Sequence, residues 1–225
     1  MDNNNNIVPS FCSVYIPDKV YFGGYPSKSW FDSLCDFGIT LFVDLTTKYE
    51  KNHLPYVYSF NAVLHHPIRD NSIPYNTDNY YKFILQLASY IRSGTEKIYI
   101  HCKGGHGRSG LVIATLMCYL DNMHPMDALK NTTILHSTRK ELKAKYRNSH
   151  CPDNYVQKQY VMELFRPICI ANYNIKHLFD FIHTSKHSSD YENVLTYFRN
   201  LYYKNNHHKK RILPPHDKKY HFASF

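Results

Sequence analysis

EKIYIHCKGGHGRSGLVIATLMCYL, residues 96–120, decides the fold. It opens as an apolar strand, KIYIHC, crosses a loop with four glycines, and continues as an apolar helix from Gly110 to Leu120. Small residues let successive backbone N–H groups turn inward around an anion, and the helix that follows aims its positive end at the same place. A loop built this way holds phosphate. The open question is whether that phosphate belongs to a cofactor or is an ester that Cys102 breaks.

Outward from that stretch the pattern alternates. VYFGGYPS reads as a short strand ending in a glycine turn, and SKSWFDSLCDFG as a helix with a serine cap and a glycine stop. ITLFVDLT and NAVLHHPI are two more strands. Residues 77–92 carry Tyr80, Tyr81, Ile84, Leu85, Leu87, Ala88 and Ile91 at helical spacing, with Asp78 as the expected cap. Pro125 fits the first turn of a helix running to about Leu135, and a last helix covers about 153–165. Strands alternating with helices predict an α/β fold: a central, mostly parallel sheet flanked by helices, with ligands at the carboxyl ends of the strands. His101 and Cys102 occupy such an end. The expected division is a disordered or irregular segment over 1–17, a catalytic domain over 18–166, and a partly helical, basic C-terminal extension over 167–225.

The chain's 225 residues, 43% of them hydrophobic, are enough for one substantial core. The formal net charge of +9 favours anionic partners without choosing among them. MDNNNNIVPS has neither a basic start nor an apolar run, and no apolar stretch approaches the roughly 20 residues of a spanning helix. Six cysteines without a C-x-x-C pair read as reduced thiols, which places the chain inside the cell, in the cytoplasm. The basic stretch 204–219 is a candidate contact for an acidic partner or membrane surface. It carries no recognisable nucleic-acid module, so nucleic acid is not the expected partner.

Two chemistries compete for the glycine loop. Gly105-His-Gly107-Arg-Ser-Gly110 matches the dinucleotide fingerprint G-x-G-x-x-G, but that motif needs a second strand ending in an acid about 20 residues on. The region DNMHPMDALKNTTIL has helical spacing instead. The alternative uses Cys102 and Arg108. Inward amides of residues 103–108 and the helix end favour the thiolate, and the Arg108 fork grips two phosphoryl oxygens. Ser109 can donate a hydrogen bond to the sulfur when the sulfur is the leaving group. His101 orders the loop. Asp70, on a loop between Pro67 and Pro74, is the candidate acid, with Asp78 in reserve.

HCKGGHGRSG resembles the H-C-x5-R-[ST] signature of the cysteine-dependent protein phosphatases, in particular the dual-specificity branch. VYFGGYPS, GITLFVDLT and HHPIRDNSIP resemble that branch in its usual order, over about residues 18–165. The resemblance implies hydrolysis of phosphate monoesters on phosphoproteins through a phosphocysteine intermediate, with no cofactor and no metal. It places Lys103, Gly104, Gly105, His106, Gly107 and Arg108 around the phosphate, Asp70 as acid, and Gln157 in CPDNYVQKQYV as the residue that positions water. Lys103 and His106 stand where lipid phosphatases of the tensin-homologue type carry two lysines, which keeps an inositol phospholipid phosphatase open as an alternative. Gly107 stands where messenger-RNA triphosphatases carry asparagine. A phosphate-binding scaffold is the third alternative. Cys118 and the Tyr80/Tyr81 pair read as packing residues, while Cys12, Cys35 or Cys151 is a possible disulfide partner for Cys102.

Overall fold

The computed structural model describes residues 7–50 and 62–165. In chain order the elements are β1 (Ser13–Ile16), β2 (Val20–Gly23), α1 (Lys28–Asp36), β3 (Leu41–Asp44), β4 (Ala62–His65), α2 (Thr77–Ser93), β5 (Ile98–His101), α3 (Gly107–Leu120), α4 (Pro125–Ser137), α5 (Ala144–Arg147) and α6 (Tyr155–Leu164). The strands form one sheet in the order β1-β2-β5-β3-β4, parallel except for the antiparallel β1–β2 pair.

Period-two alternation on the central strands builds two cores. Val20, Phe22, Leu41, Val43, Ile98 and Ile100 face one side and pack with apolar residues of α2, α3, α4 and α6. Tyr21, Phe42 and Tyr99 face the other, against Phe11, Leu34 and Phe37. All four residues of β2, β3 and β5 are buried, as expected of parallel strands covered on both faces. Each such side chain contributes roughly 1.5–3 kcal/mol through burial. The register brings Gly23, His101, Asp44 and His65 into one row across the carboxyl edge of the sheet.

The structure corrects three details. Residues 13–16, expected in an irregular leader, form β1, because the open edge of β2 supplies a ladder that four residues cannot announce by themselves. The cap of α2 is Asn76, whose side chain accepts from the Asn79 N–H at 2.9 Å; Asp78 lies in the first turn, where its charge complements the helix dipole. The single-turn α5, unanticipated, follows Thr138. The Asn3–Asn6 run, the partly helical extension expected over 167–225 and its basic stretch 204–219 lie outside the described residues.

Candidate active site

β5 ends at His101, and the chain leaves the sheet at Cys102, buried at 3% exposure, before entering α3 at Gly107. The turn is possible because Gly105 takes φ +73° and lies against β2: a methyl group there would sit 2.3 Å from the Gly23 carbonyl carbon. With that approach, the Gly105 N–H points at the Cys102 sulfur, 3.2 Å away. The Lys103 carbonyl accepts from the Tyr25 N–H at 3.1 Å, tying the outer side of the loop to the segment after β2. His101 is fully buried, edge-on to Tyr25, with its Nδ1 3.9 Å from an Asp44 carboxylate oxygen.

Arg108 is buried at 1% exposure in the first turn of α3. Its Nη1 donates to Glu50 Oε1 at 2.5 Å and to the Ile68 carbonyl at 2.9 Å, with Leu45 O at 3.5 Å. Its Nη2 donates to Glu50 Oε2 at 3.0 Å and to Asp70 Oδ1 at 2.9 Å. One guanidinium thus gathers the segments after β3 and β4 onto the phosphate loop. Burial alone would raise the Glu50 carboxyl, but hydrogen bonds from Arg108 and Thr47 and the charges of Arg108 and Lys103 outweigh it, so the group lies below its ordinary value.

The structure brings most of the expected residues together. Cys102, Arg108 and the loop glycines converge, and Asp70 reaches the same guanidinium from a half-exposed position. Gln157 is fully buried on α6; its Nε2 donates to Ser72 O at 2.8 Å, and a methyl at Gly107 would lie 2.9 Å from its Oε1. That Oε1 has no hydrogen-bond partner among the described residues. Asn154 donates to Asn71 O at 2.9 Å, so α6 clasps the loop that carries Asp70 at two points.

The Ser109 hydroxyl, with no phosphocysteine formed, donates to the Gly23 carbonyl at 3.3 Å, satisfying a buried acceptor at the end of β2. One expectation is corrected. His106 turns to α4 and α5: its Nδ1 is 2.6 Å from Nε2 of the fully buried His136, and its ring stacks on Tyr146. Burial, with Arg139 nearby, pushes His106 down to about 4 and His136 to about 3, so His106 brings no second positive charge at neutral pH.

Two residues escaped the sequence reading. Glu50 lies in the loop after β3, where one carboxylate six residues past the strand looks like any surface acid. Arg139 is 4% exposed after α4; Nε donates to Ser13 Oγ at 3.2 Å, and Nη2 to Gly105 O at 3.2 Å and Phe22 O at 3.4 Å. It therefore fastens β1 and β2 to the glycine loop from behind. The sole hint was an arginine just past a helix end, which is commonplace. No disulfide joins any of the five described cysteines, and Cys151 donates its thiol to His106 O at 2.9 Å. Among the described residues no group of three or more His, Cys, Asp or Glu side chains is placed to hold a metal ion, and no helix is long and apolar enough to cross a membrane.

Comparison with known proteins agrees with this arrangement. Two viral proteins named "Putative tyrosine phosphatase" are similar: 197R of Invertebrate iridescent virus 6 and 067L of Invertebrate iridescent virus 3. The first is 44% identical over 125 residues, 54% of this chain and 47% of the relative; the second is 37% identical over 155 residues, 68% and 65%. The chain thus spans about half to two thirds of the length of these curated relatives. Among solved structures, the active form of Tk-PTP superposes with a TM-score of 0.53 at 22% identity, covering 68% of this chain and 94% of that one, a likeness of fold. The family model described as "Swiss Army Knife protein, DSP-PTPase phosphatase domain" matches residues 9–152. With well over half of its length inside that match, and with the signature loop folded around Cys102, this chain belongs to the dual-specificity branch of the cysteine-dependent phosphatases.

Proposed function

We propose that this protein hydrolyses phosphate monoesters on phosphoproteins, at phosphotyrosine and also at phosphoserine and phosphothreonine, through a phosphocysteine intermediate. One observation carries the reading: a buried cysteine that accepts a backbone N–H lies at the strand end beside a buried arginine, and a half-exposed aspartate reaches that same arginine. In the first step the Cys102 thiolate attacks phosphorus; the S–P bond forms as the P–O bond to the leaving group breaks. Incoming phosphoryl oxygens compete with Asp70 for Arg108 Nη2 and release its carboxylate, which takes up a proton from solvent and gives that proton to the departing oxygen. The carboxylate left behind takes a proton from water as that water attacks phosphocysteine, restoring the thiolate and releasing phosphate. The buried, unpaired Oε1 of Gln157 beside Gly107 supports a role in holding that water. Loop amides and Arg108 carry the developing charge in both steps. Glu50 keeps the guanidinium plane fixed.

The test is turnover of p-nitrophenyl phosphate by purified protein without added metal, with Cys102→Ser as control. Wild type should turn over and the variant should not; a variant with wild-type turnover rules the mechanism out. A panel of phosphopeptides against short-chain inositol phospholipids decides substrate class. His106, paired with His136 and uncharged, favours the peptides.

A further inference from the structure

Backbone N–H groups gather on the inner side of the phosphate loop, and on its outer side the carbonyls must be held away from them. Three of those carbonyls have a donor behind them: Lys103 O takes the Tyr25 N–H at 3.1 Å, Gly105 O takes Arg139 Nη2 at 3.2 Å, and His106 O takes the Cys151 thiol at 2.9 Å. In a trans peptide the carbonyl and the next N–H point in opposite directions. These bonds therefore turn the N–H groups of Gly104, His106 and Gly107 inward, to the side on which the Gly105 N–H meets the Cys102 sulfur. Arg139 is the one charged donor of the three. It is 4% exposed and has no ion pair among the described residues, while Glu141, two positions on, accepts from the Ser10 hydroxyl. A buried guanidinium is costly unless opposite charge faces it. Here it meets three oxygens, Ser13 Oγ, Phe22 O and Gly105 O, and beyond the Gly105 peptide lies the place where thiolate and phosphate carry negative charge.

We infer that Arg139 is a positioning residue for the hydrolysis: it holds the Gly105–His106 peptide with the His106 N–H toward the phosphoryl group and, through its charge, strengthens that donor. The inference rests on the phosphatase reading above. The His106 N–H makes no hydrogen bond among the described residues, so no group there competes with a phosphoryl oxygen for it. A cation bonded to the oxygen end of a peptide draws electron density from its nitrogen end, which makes the N–H a better donor to an anion. Gly105, at φ +73°, does little to resist a turn of this peptide, so its orientation comes from outside the loop. Ser13 and Phe22 fix the guanidinium to β1 and β2, and the sheet thereby sets the direction of the donor.

Arg139→Met keeps a side chain of similar length and removes the charge and the donors. Its kcat on p-nitrophenyl phosphate, per folded molecule, should fall about tenfold to a hundredfold, less than the loss of a donor that touches the oxyanion directly. Orthovanadate, which copies the geometry of the transferring phosphoryl group, should inhibit the variant more weakly by a similar factor. Arg139→Lys keeps a charge and one point of contact, and should return to within about fivefold of wild type. The amide resonance of His106 gives a readout that a loss of stability does not move. In Cys102→Ser protein, inorganic phosphate should shift that proton downfield, and adding Arg139→Met should remove most of the shift. Wild-type kcat and vanadate inhibition in folded Arg139→Met overturn the inference, as does a His106 shift that the substitution leaves intact. If Arg139→Met does not fold, Ser13→Ala decides: it frees Arg139 Nε without touching the arginine, and kcat should fall about threefold, whereas wild-type kcat overturns the inference. A wild type without turnover overturns the phosphatase reading itself, and the phosphate titration then still decides what Arg139 does to the loop.

Discussion

Both terminal nitrogens of Arg108 are held by carboxylates, and the two acids have different standing. Glu50 engages them in a fork, its side chain 11% exposed, whereas the Asp70 side chain is 54% exposed and makes one contact. Asp70 is thus the one that substrate can displace. Asp70→Ala should lose about a hundredfold in kcat on a phosphopeptide with a poor leaving group, the size of a lost general acid. The loss should be much smaller on p-nitrophenyl phosphate, whose leaving group needs no proton. Matching losses on the two substrates would remove Asp70 from the acid role. Glu50→Gln keeps the shape and removes the charge. A carboxyl lowered in the folded chain stabilises it above the ordinary value of 4.5, and that contribution is lost as pH falls through the lower folded value. Urea unfolding should show the variant about 1–2 kcal/mol less stable at pH 7. The gap should close as the solution is acidified below the carboxylate range, and a gap that persists there would mean the charge is not what Glu50 contributes.

At the scale of elements, the site is where a strand, a turn and a helix meet, and the turn is the part with least tolerance. Gly105→Ala meets both an unfavourable φ and backbone 2.3 Å away, so β2 or the loop must shift. The expected outcome is retained secondary structure with turnover reduced at least about a hundredfold, since misplacement of about 1 Å is costly in a preorganised site. Circular dichroism and p-nitrophenyl phosphate turnover check the two halves. This is also where the sequence was most legible. KIYIHC, the glycines and the apolar run after them each demand their structure locally, and the alternation of Val20, Phe22, Leu41 and Val43 against Tyr21 and Phe42 shows two-sided burial directly. What could not be read depends on partners distant along the chain. β1 exists because β2 has an edge, and Arg139 matters because Ser13, Phe22 and Gly105 converge on it. Glu50 acts only once Arg108 is brought 58 positions back to meet it. The cap at Asn76 rather than Asp78 is a shift of two residues, within the ambiguity of neighbouring polar residues.

The whole molecule responds to acid through rings it has buried uncharged. His66, stacked on Phe83, is pushed down to about 4 by burial and by neighbouring His65; His106 and His136, in contact with each other, lie at about 4 and about 3 for the same first reason, with Arg139 adding to it. A histidine lowered in the folded state binds its proton in the unfolded chain first. Stability therefore falls as pH drops below the ordinary value of 6.5, well before any lowered carboxyl is protonated. Between pH 7 and 5.5 each of the three should remove roughly 1 kcal/mol, somewhat less for the partly exposed His66 and His106, so about 2–3 kcal/mol together. Urea midpoints across that range measure the slope directly. His136→Gln deletes one titrating ring and should flatten the slope by about a third or more, whatever it does to absolute stability. The change can exceed one third because His136 and His106 share a contact, and removing one eases the other. A wild-type unfolding free energy that stays level from pH 7.5 to 5.5 would show that these rings are not held neutral, and the uncharged His106 on which the peptide reading leans would go with them.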